Sequence, residues 1–319
     1  VNKDSCIFVA GHNGMVGSAV LRKLKSLGYK NIITRNREEL DLRNQDDTNL
    51  FFQNLSIDCV ILCAAKVGGI LANNNYRSDF ISDNLMIGIN ILNASRNNNV
   101  SKLINLGSSC IYPKHADIPI KEESLLTGLL EKTNEPYAIA KIATLKMCEA
   151  LYDQYGLNYY SIMPCNLYGK NDNFNLETSH VLPALIHKVH KAKIENAENV
   201  TLWGTGKPLR EFLYAGDVAS AICFLMENIH AKDIYSQNIS HINCGSDEEV
   251  SILKLLKIIK NIVKFDGEII FDSTKPDGTY RKKMDNSRLK NLGFNPQTSL
   301  EQGLLKTYSW FKDNIEFCT

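Results

Sequence analysis

Along the first half of the chain, short apolar runs alternate with longer stretches whose apolar residues recur at helical spacing. Cys6–Ala10, Asn31–Thr34, Asp58–Cys63 and Leu103–Leu106 read as strands, and Val16–Leu27 and Ile87–Asn98 as helices between them. Strands separated by helices predict a parallel sheet with right-handed crossovers. After Gly169 the rhythm changes. A polar loop, Lys170–Ser179, leads into a helix over Val181–Lys193 and then into the turn-rich Trp203–Pro208. Asp217–Asn228 and Ser251–Val263 read as further amphipathic helices. There is no internal repeat and no clean linker.

The 319 residues exceed the usual size of one domain, so one large or two closely joined domains are expected. With 36 Lys and Arg against 35 Asp and Glu, no general attraction to nucleic acid or to a membrane surface is expected, and any anion site must be local. The most apolar run, Cys59–Ala65, is far shorter than the roughly 20 residues that span a bilayer. Nine scattered cysteines without a Cys-x-x-Cys pair, in a chain without a signal-like start, point to reduced thiols in the cytoplasm and no bound metal.

The first strand runs into Gly11-His12-Asn13-Gly14-Met15-Val16-Gly17 and then a helix. Glycine permits the tight turn, and the helix that follows aims its positive end at whatever anion the turn admits, which suits a dinucleotide pyrophosphate. The expected contacts are Gly11, Asn13, Gly14, Met15, Val16 and Gly17, with Ala64 and Ala65 letting the chain pass close to the adenosine side. Where the second strand ends, an acidic residue often holds the ribose of NAD; here Arg35 and Arg37 follow instead. Two cations favour a 2′-phosphate and hence NADP(H), unless both are ordinary surface arginines.

Tyr137 and Lys141 stand four apart at the start of a helical segment and so share a face. A phenol with a pKa of about 10 is a poor proton donor unless a neighbouring cation lowers it, and Lys141 is the candidate. Upstream, the strand Leu103–Leu106 ends in Gly107-Ser108-Ser109-Cys110, which places Ser108 to polarise a carbonyl at the carboxyl end of the sheet. Alternate residues of an extended segment point the same way, so Ser108 and Cys110 are expected to face one pocket. Together these predict an α/β protein: a Rossmann-like doubly wound parallel sheet with a smaller α/β C-terminal substrate domain. Residues 1–170 form the cofactor domain, with 212–240 returning to it; 171–211 and 241–319 form the smaller one.

In this order and spacing the glycine turn, Ser108 and Tyr137-x-x-x-Lys141 resemble the extended short-chain dehydrogenase/reductases. Gly107–Pro113, Asn134–Lys141, Pro164–Gly169, Asp172–Asn175, Ser179–Ala184, Arg210–Phe212 and 274–278 are similar to the GDP-L-fucose synthase family. The resemblance implies a cytoplasmic homodimer that epimerises the carbons flanking the ketone of GDP-4-keto-6-deoxy-D-mannose and then reduces the ketone with NADPH. It implies Cys110 and His180 as the acid/base pair on opposite faces of the sugar, their ordinary pKa values of about 8.5 and 6.5 straddling neutrality. It adds Pro164, Asn166, Leu167 and His180 to the cofactor site. For the nucleotide it implies Lys188, Trp203, Arg210, Asp277 and Lys282 or Lys283. His187 and His190 are expected on an exposed helix with no such role. Alternatives are an epimerase/reductase or reductase on a GDP-4-keto heptose or dideoxy sugar, a dehydratase or 4-epimerase, and a sensor that binds dinucleotide without chemistry.

Overall fold

Alternation along the central strands sets the layers. In β1 (Ile7–Ala10), Ile7 and Val9 belong to the apolar core on one face of a sheet, Phe8 and Ala10 to the core on the other. The structure, a computed structural model, describes residues 1–275, 277 and 279–318. After β1 come α1 (Met15–Ser26), β2 (Ile32–Ile33), α2 (Gln45–Gln53), β3 (Cys59–Leu62), α3 (Ile70–Asn75), α4 (Arg77–Asn97), β4 (Lys102–Leu106), α5 (Glu135–Tyr155), β5 (Asn158–Pro164) and β6 (Asn166–Tyr168). The chain continues through α6 (Val181–Ile194), β7 (Asn199–Trp203), β8 (Leu209–Tyr214), α7 (Ala215–Asn228), α8 (Ala231–Tyr235), β9 (His241–Cys244), β10 (Glu249–Ser251) and α9 (Ile252–Val263). It ends with β11 (Glu268–Asp272), β12 (Arg281–Lys282), α10 (Ser287–Asn291), α11 (Leu300–Asp313) and α12 (Ile315–Cys318).

Six strands form one parallel sheet in the order β2-β1-β3-β4-β5-β9. The order reverses between β1 and β3, which opens a crevice beyond their carboxyl ends. Helices α1 and α7 cover one face: Val16, Ala19, Val20 and Leu24 recur every three or four residues and pack with Val218, Ala219 and Ile222. Helices α2, α4 and α5 cover the other through Phe52, Ile91, Leu92, Cys148 and Leu151. Each such buried side chain contributes roughly 1.5–3 kcal/mol. Gly88 sets how closely α4 and α5 meet, because a Cβ there would overlap the Thr144 side chain. That contact fixes the helix that carries Tyr137 and Lys141.

A separate apolar core lies between α6, α9 and α11 and the small sheets of β7, β8, β10 and β11, built from Leu185, Val189, Leu202, Leu256, Ile259, Leu304 and Phe311. Two expectations need correction. The return to the first sheet does not stop at residue 240: β9 pairs in parallel with β5 and completes that sheet, so 241–244 belong with it. His187 and His190 are half-buried rather than exposed; their ring nitrogens lie 2.8 Å from the Phe174 carbonyl and 3.0 Å from the Tyr308 hydroxyl, and both rings pack on Phe311. Among the described residues no helix is long and apolar enough to cross a membrane.

Candidate active site

The glycine turn sits at the mouth of the crevice. Gly11 adopts φ of 82°, in the left-handed region, and a Cβ on it would lie 2.6 Å from the Ala64 backbone. A Cβ on Gly17 would overlap the Gly11 carbonyl oxygen, so turn, helix and the end of β3 close on one another. Helix α1 then begins at Met15 without a side-chain cap and without an acidic residue in its first turn. Its first N–H groups and its positive dipole end are left to an anion. Arg35 donates to the Thr34 carbonyl, at 2.8 Å, and lies over the Phe51 ring. Arg37 is 70% exposed, with Asp41 3.9 Å away. Asp41 itself is taken by Arg43, whose guanidinium holds the carboxyl down to about 2. Two cations therefore stand at the end of β2 without a strong partner among the described residues. These residues fit the diphosphate and 2′-phosphate of NADP(H).

Further along the sheet edge, β4 delivers Ser108 and the first two turns of α5 deliver Tyr137 and Lys141. Lys141 is buried and donates to the Leu106 carbonyl at 2.9 Å, with its ammonium 5.9 Å from the centre of the Tyr137 ring. Loss of hydration brings the amine down to about 8. The phenol moves the other way, raised well above its ordinary value, chiefly by burial, with a hydrogen bond to Ser108 opposing the rise. The expected lowering of Tyr137 by Lys141 is thus not what the geometry gives, because the ammonium is turned toward Leu106. Tyr137 is held as a protonated donor, its ring braced edge-on by Phe80 at 6.2 Å.

Cys110 reaches the same place by a route the sequence did not suggest. Residues Ser109–Ile111 form a single tight turn rather than an extended segment, and the Cys110 N–H lies 3.4 Å from the Ser108 hydroxyl. It is the turn, not strand alternation, that brings the serine and the thiol together. Burial pushes the thiol up, while Ser108, Lys282 and Lys141 draw it down. His180 stands at the N-cap position of α6 without a capping hydrogen bond from its side chain, and loss of hydration around the imidazole lowers its pKa. At neutral pH the pair therefore stands as thiol and neutral imidazole.

The expected nucleotide residues separate into two groups. Lys188 stands 4.3 Å from the centre of the Trp203 ring, with Lys275 5.5 Å from it on the 274–277 segment. Arg210 and Lys282 pair across β8 and β12, and Lys282 lines a cavity together with Cys110. The two carboxylate oxygens of Asp277 accept from the Thr205 N–H and hydroxyl, each at 2.7 Å, which closes the 203–206 turn. Pro276 and Gly278 of the matched segment lie outside the described residues. Asn166 also has a framework duty, donating to the Glu211 carbonyl at 3.0 Å, while Pro164 and Leu167 flank it at the end of β5 and in β6.

Some polar groups were not singled out in the sequence. The Asn134 Oδ1, next to the start of α5, is buried without a partner, and Asn134 lines the cavity beside Cys110. Its position three residues before Tyr137 was the available signal. His12 Nδ1, Asp172 Oδ2 and Ser179 Oγ are likewise buried and unpartnered, and burial raises the Asp172 carboxyl to about 7. Asp172 and Ser179 each open a segment that carries the family resemblance, which was the available signal; His12 lies in the glycine turn, where only its neighbours drew notice.

A model of the NAD dependent epimerase/dehydratase family matches residues 7–245. A GDP-L-fucose synthase of Arabidopsis thaliana is 51% identical over 314 residues, covering 98% of this chain and 95% of that one. The GDP-L-fucose synthase of Escherichia coli is 49% identical, with 97% of each chain covered. Among solved structures, a GDP-D-glycero-L-gluco-heptose synthase from Campylobacter jejuni, determined in the presence of NADPH, superposes with a TM-score of 0.92 at 36% identity, covering 98% of this chain and 99% of that one. With the glycine turn, the Ser-Tyr-Lys group and the Cys-His pair, these likenesses over nearly the whole length establish that the chain belongs to the NAD dependent epimerase/dehydratase family, in the GDP-L-fucose synthase group.

Proposed function

We propose that this protein converts GDP-4-keto-6-deoxy-D-mannose to GDP-L-fucose by epimerising C3 and C5 and reducing the C4 ketone with NADPH. The observation that carries the reading is the meeting of two sets of groups at one strand end: Ser108 and Cys110 on a single turn, facing Tyr137 and Lys141 of α5. The identity of 51% to a fucose synthase, against 36% to a heptose synthase, favours the 6-deoxy-hexose.

In the first half-reaction, the ketone acidifies the neighbouring C–H bonds. The imidazole of His180 takes a proton from one face, the electron pair moves onto the C4 oxygen as an enolate, and the Cys110 thiol returns a proton to the opposite face. Ser108 donates a hydrogen bond to the oxygen as its charge develops. One inversion leaves thiolate and imidazolium, which reset by proton exchange with water. In the second half-reaction NADPH supplies a hydride to C4. Tyr137 then protonates the alkoxide and Lys141 orients the cofactor ribose. Gly11, Asn13, Gly14, Met15, Val16 and Gly17 hold the diphosphate, Arg35 and Arg37 the 2′-phosphate, and Ala64, Ala65, Pro164, Asn166 and Leu167 line the rest. Lys188, Trp203, Arg210, Asp277 and Lys282 take the GDP-sugar. We place the enzyme in the cytoplasm as a homodimer; the family resemblance supports both, and eight free thiols among the described residues support the first.

The test is product identification. Purified protein with NADPH is given GDP-4-keto-6-deoxy-D-mannose and, separately, the corresponding 4-keto heptose and dideoxy-hexose. GDP-L-fucose formed with one NADPH consumed per sugar is the expected result; turnover of only the heptose or the dideoxy sugar would transfer the activity to that substrate.

A further inference from the structure

The loop that presents His180 meets the cofactor-binding region backbone to backbone. Gly69, in the segment that follows β3 and leads into α3, donates its N–H to the Thr178 carbonyl at 2.9 Å. A Cβ on Gly69 would lie 2.7 Å from the Ser179 carbonyl oxygen and 3.0 Å from that of Thr178, closer than a side-chain carbon can come. His180 is the next residue, at the start of α6. Gly69 itself has φ of −65° and ψ of 179°, an extended conformation open to any residue. Its own backbone therefore does not call for glycine; the nearness of Thr178 and Ser179 does.

Both sides of the contact are tied down. On the cofactor side, the Asn84 side chain accepts from the Lys66 N–H at 2.9 Å and donates to the Lys66 carbonyl at 3.0 Å, and Asn73 donates to the Gly68 and Gly69 carbonyls at 2.7 and 3.1 Å. On the other side, the Asn175 side chain accepts from the Glu177 and Thr178 N–H groups at 2.9 and 3.2 Å, and its carbonyl accepts from the Ser179 N–H at 3.0 Å. A displacement at Gly69 is thus passed to the 178–179 backbone and so to the residue joined to it.

We propose that Gly69 is a positioning residue for His180: its close backbone contact sets where the imidazole stands and takes no part in hydride transfer. The inference rests on the function proposed above, in which His180 takes a proton from the sugar. Proton abstraction is sensitive to placement, and a shift of about 1 Å can cost on the order of 10²-fold. A methyl group at Gly69 has to push the Ser179 carbonyl most of that distance to reach an ordinary contact of about 3.5 Å. The reducing group has other supports, since Tyr137 and Lys141 are fixed through Gly88, Thr144 and Phe80.

Gly69→Ala pushes on the His180 loop, and Asn73→Ala releases the carbonyls that hold Gly69 in place; both are compared with the wild type. Modification of His180 by diethyl pyrocarbonate, read by peptide mass spectrometry, reports where the ring stands without any sugar present. Exchange of deuterium from heavy water into C3 and C5 of GDP-4-keto-6-deoxy-D-mannose, with NADP+ bound so that no reduction competes, reports proton abstraction. In Gly69→Ala the exchange kcat should fall by about 10–100-fold and His180 modification should quicken by about threefold or more, with the KM for the sugar and the Kd for NADPH within about threefold of wild type. Asn73→Ala should move both readouts the same way by a smaller factor. Modification of His180 at the wild-type rate in both variants overturns the inference, and so does a loss of NADPH affinity as large as the loss of exchange, which would make Gly69 part of the cofactor site. A wild type that exchanges no ring hydrogen removes the proposed function, and the modification rates still decide whether Gly69 places His180.

Discussion

Ser108, Tyr137 and Lys141 come from one strand end and one helix, braced by Phe80 and by the close contact of Gly88 with Thr144. Cys110 and His180 come from a tight turn after β4 and from the start of α6, 70 positions apart in sequence. The reducing group is rigid and local, with its protonation states set mainly by burial. The epimerising group is assembled only when both regions fold. The contrast suggests that hydride delivery demands fixed geometry, whereas proton traffic on two faces of a sugar demands groups drawn from two sides of a cleft.

The largest test of that contrast removes one half and asks whether the other survives. Tyr137→Phe should cost ketone reduction roughly 10²–10⁴-fold, the range for losing a positioned proton donor, while exchange of ring hydrogens with solvent stays within a few-fold of wild type. Cys110→Ser should do the reverse at the flanking carbons, suppressing exchange by a similar factor and sparing part of the NADPH oxidation. Equal loss of both activities in either variant would merge the two halves.

The pH dependence separates them more gently. Burial lowers Lys141, so its charged form is present below about 8 and is lost as pH rises through that value. Reduction measured with saturating NADPH should therefore decline above pH 8, by about tenfold per pH unit at the limit. Smaller again is the cofactor choice: Arg35→Ala and Arg37→Ala should each weaken NADPH by roughly tenfold or less and leave NADH unchanged, as expected for an exposed contact to phosphate. The smallest effect belongs to Lys188→Ala, which removes one cation from the Trp203 face and should raise the KM for the GDP-sugar by about fivefold, corresponding to about 1 kcal/mol. A fall in kcat at saturating substrate would place Lys188 closer to the reacting carbons than the geometry does.

What the sequence disclosed follows the same division. The glycine turn, Ser108 and the Tyr137/Lys141 spacing are local patterns, and each carries its geometry with it: a strand, a turn, a helix face. The placement of β9 in the first sheet could not be read, because its four residues follow a polar stretch and pair with β5, 80 positions earlier by the register of Ser161 with His241. The turn at Ser109–Ile111 was hidden because its residues are as compatible with a strand as with a turn. The pairing of Asp277 with Thr205 was likewise out of reach, because it is a contact between segments 72 positions apart. The nearness of Lys282 to the cavity that Cys110 lines could not be read either, since only the pairing of β12 with β8 brings it there.

If one pocket performs two reactions with separable groups, a single variant should stop one and leave the other running. The decisive experiment incubates Tyr137→Phe with GDP-4-keto-6-deoxy-D-mannose and NADPH in heavy water, following cofactor absorbance and locating deuterium in the recovered sugar by NMR. Deuterium at C3 and C5 with almost no NADPH oxidised is the expected result. A recovered sugar free of ring deuterium, from a folded variant that still binds NADPH, would refute the separation.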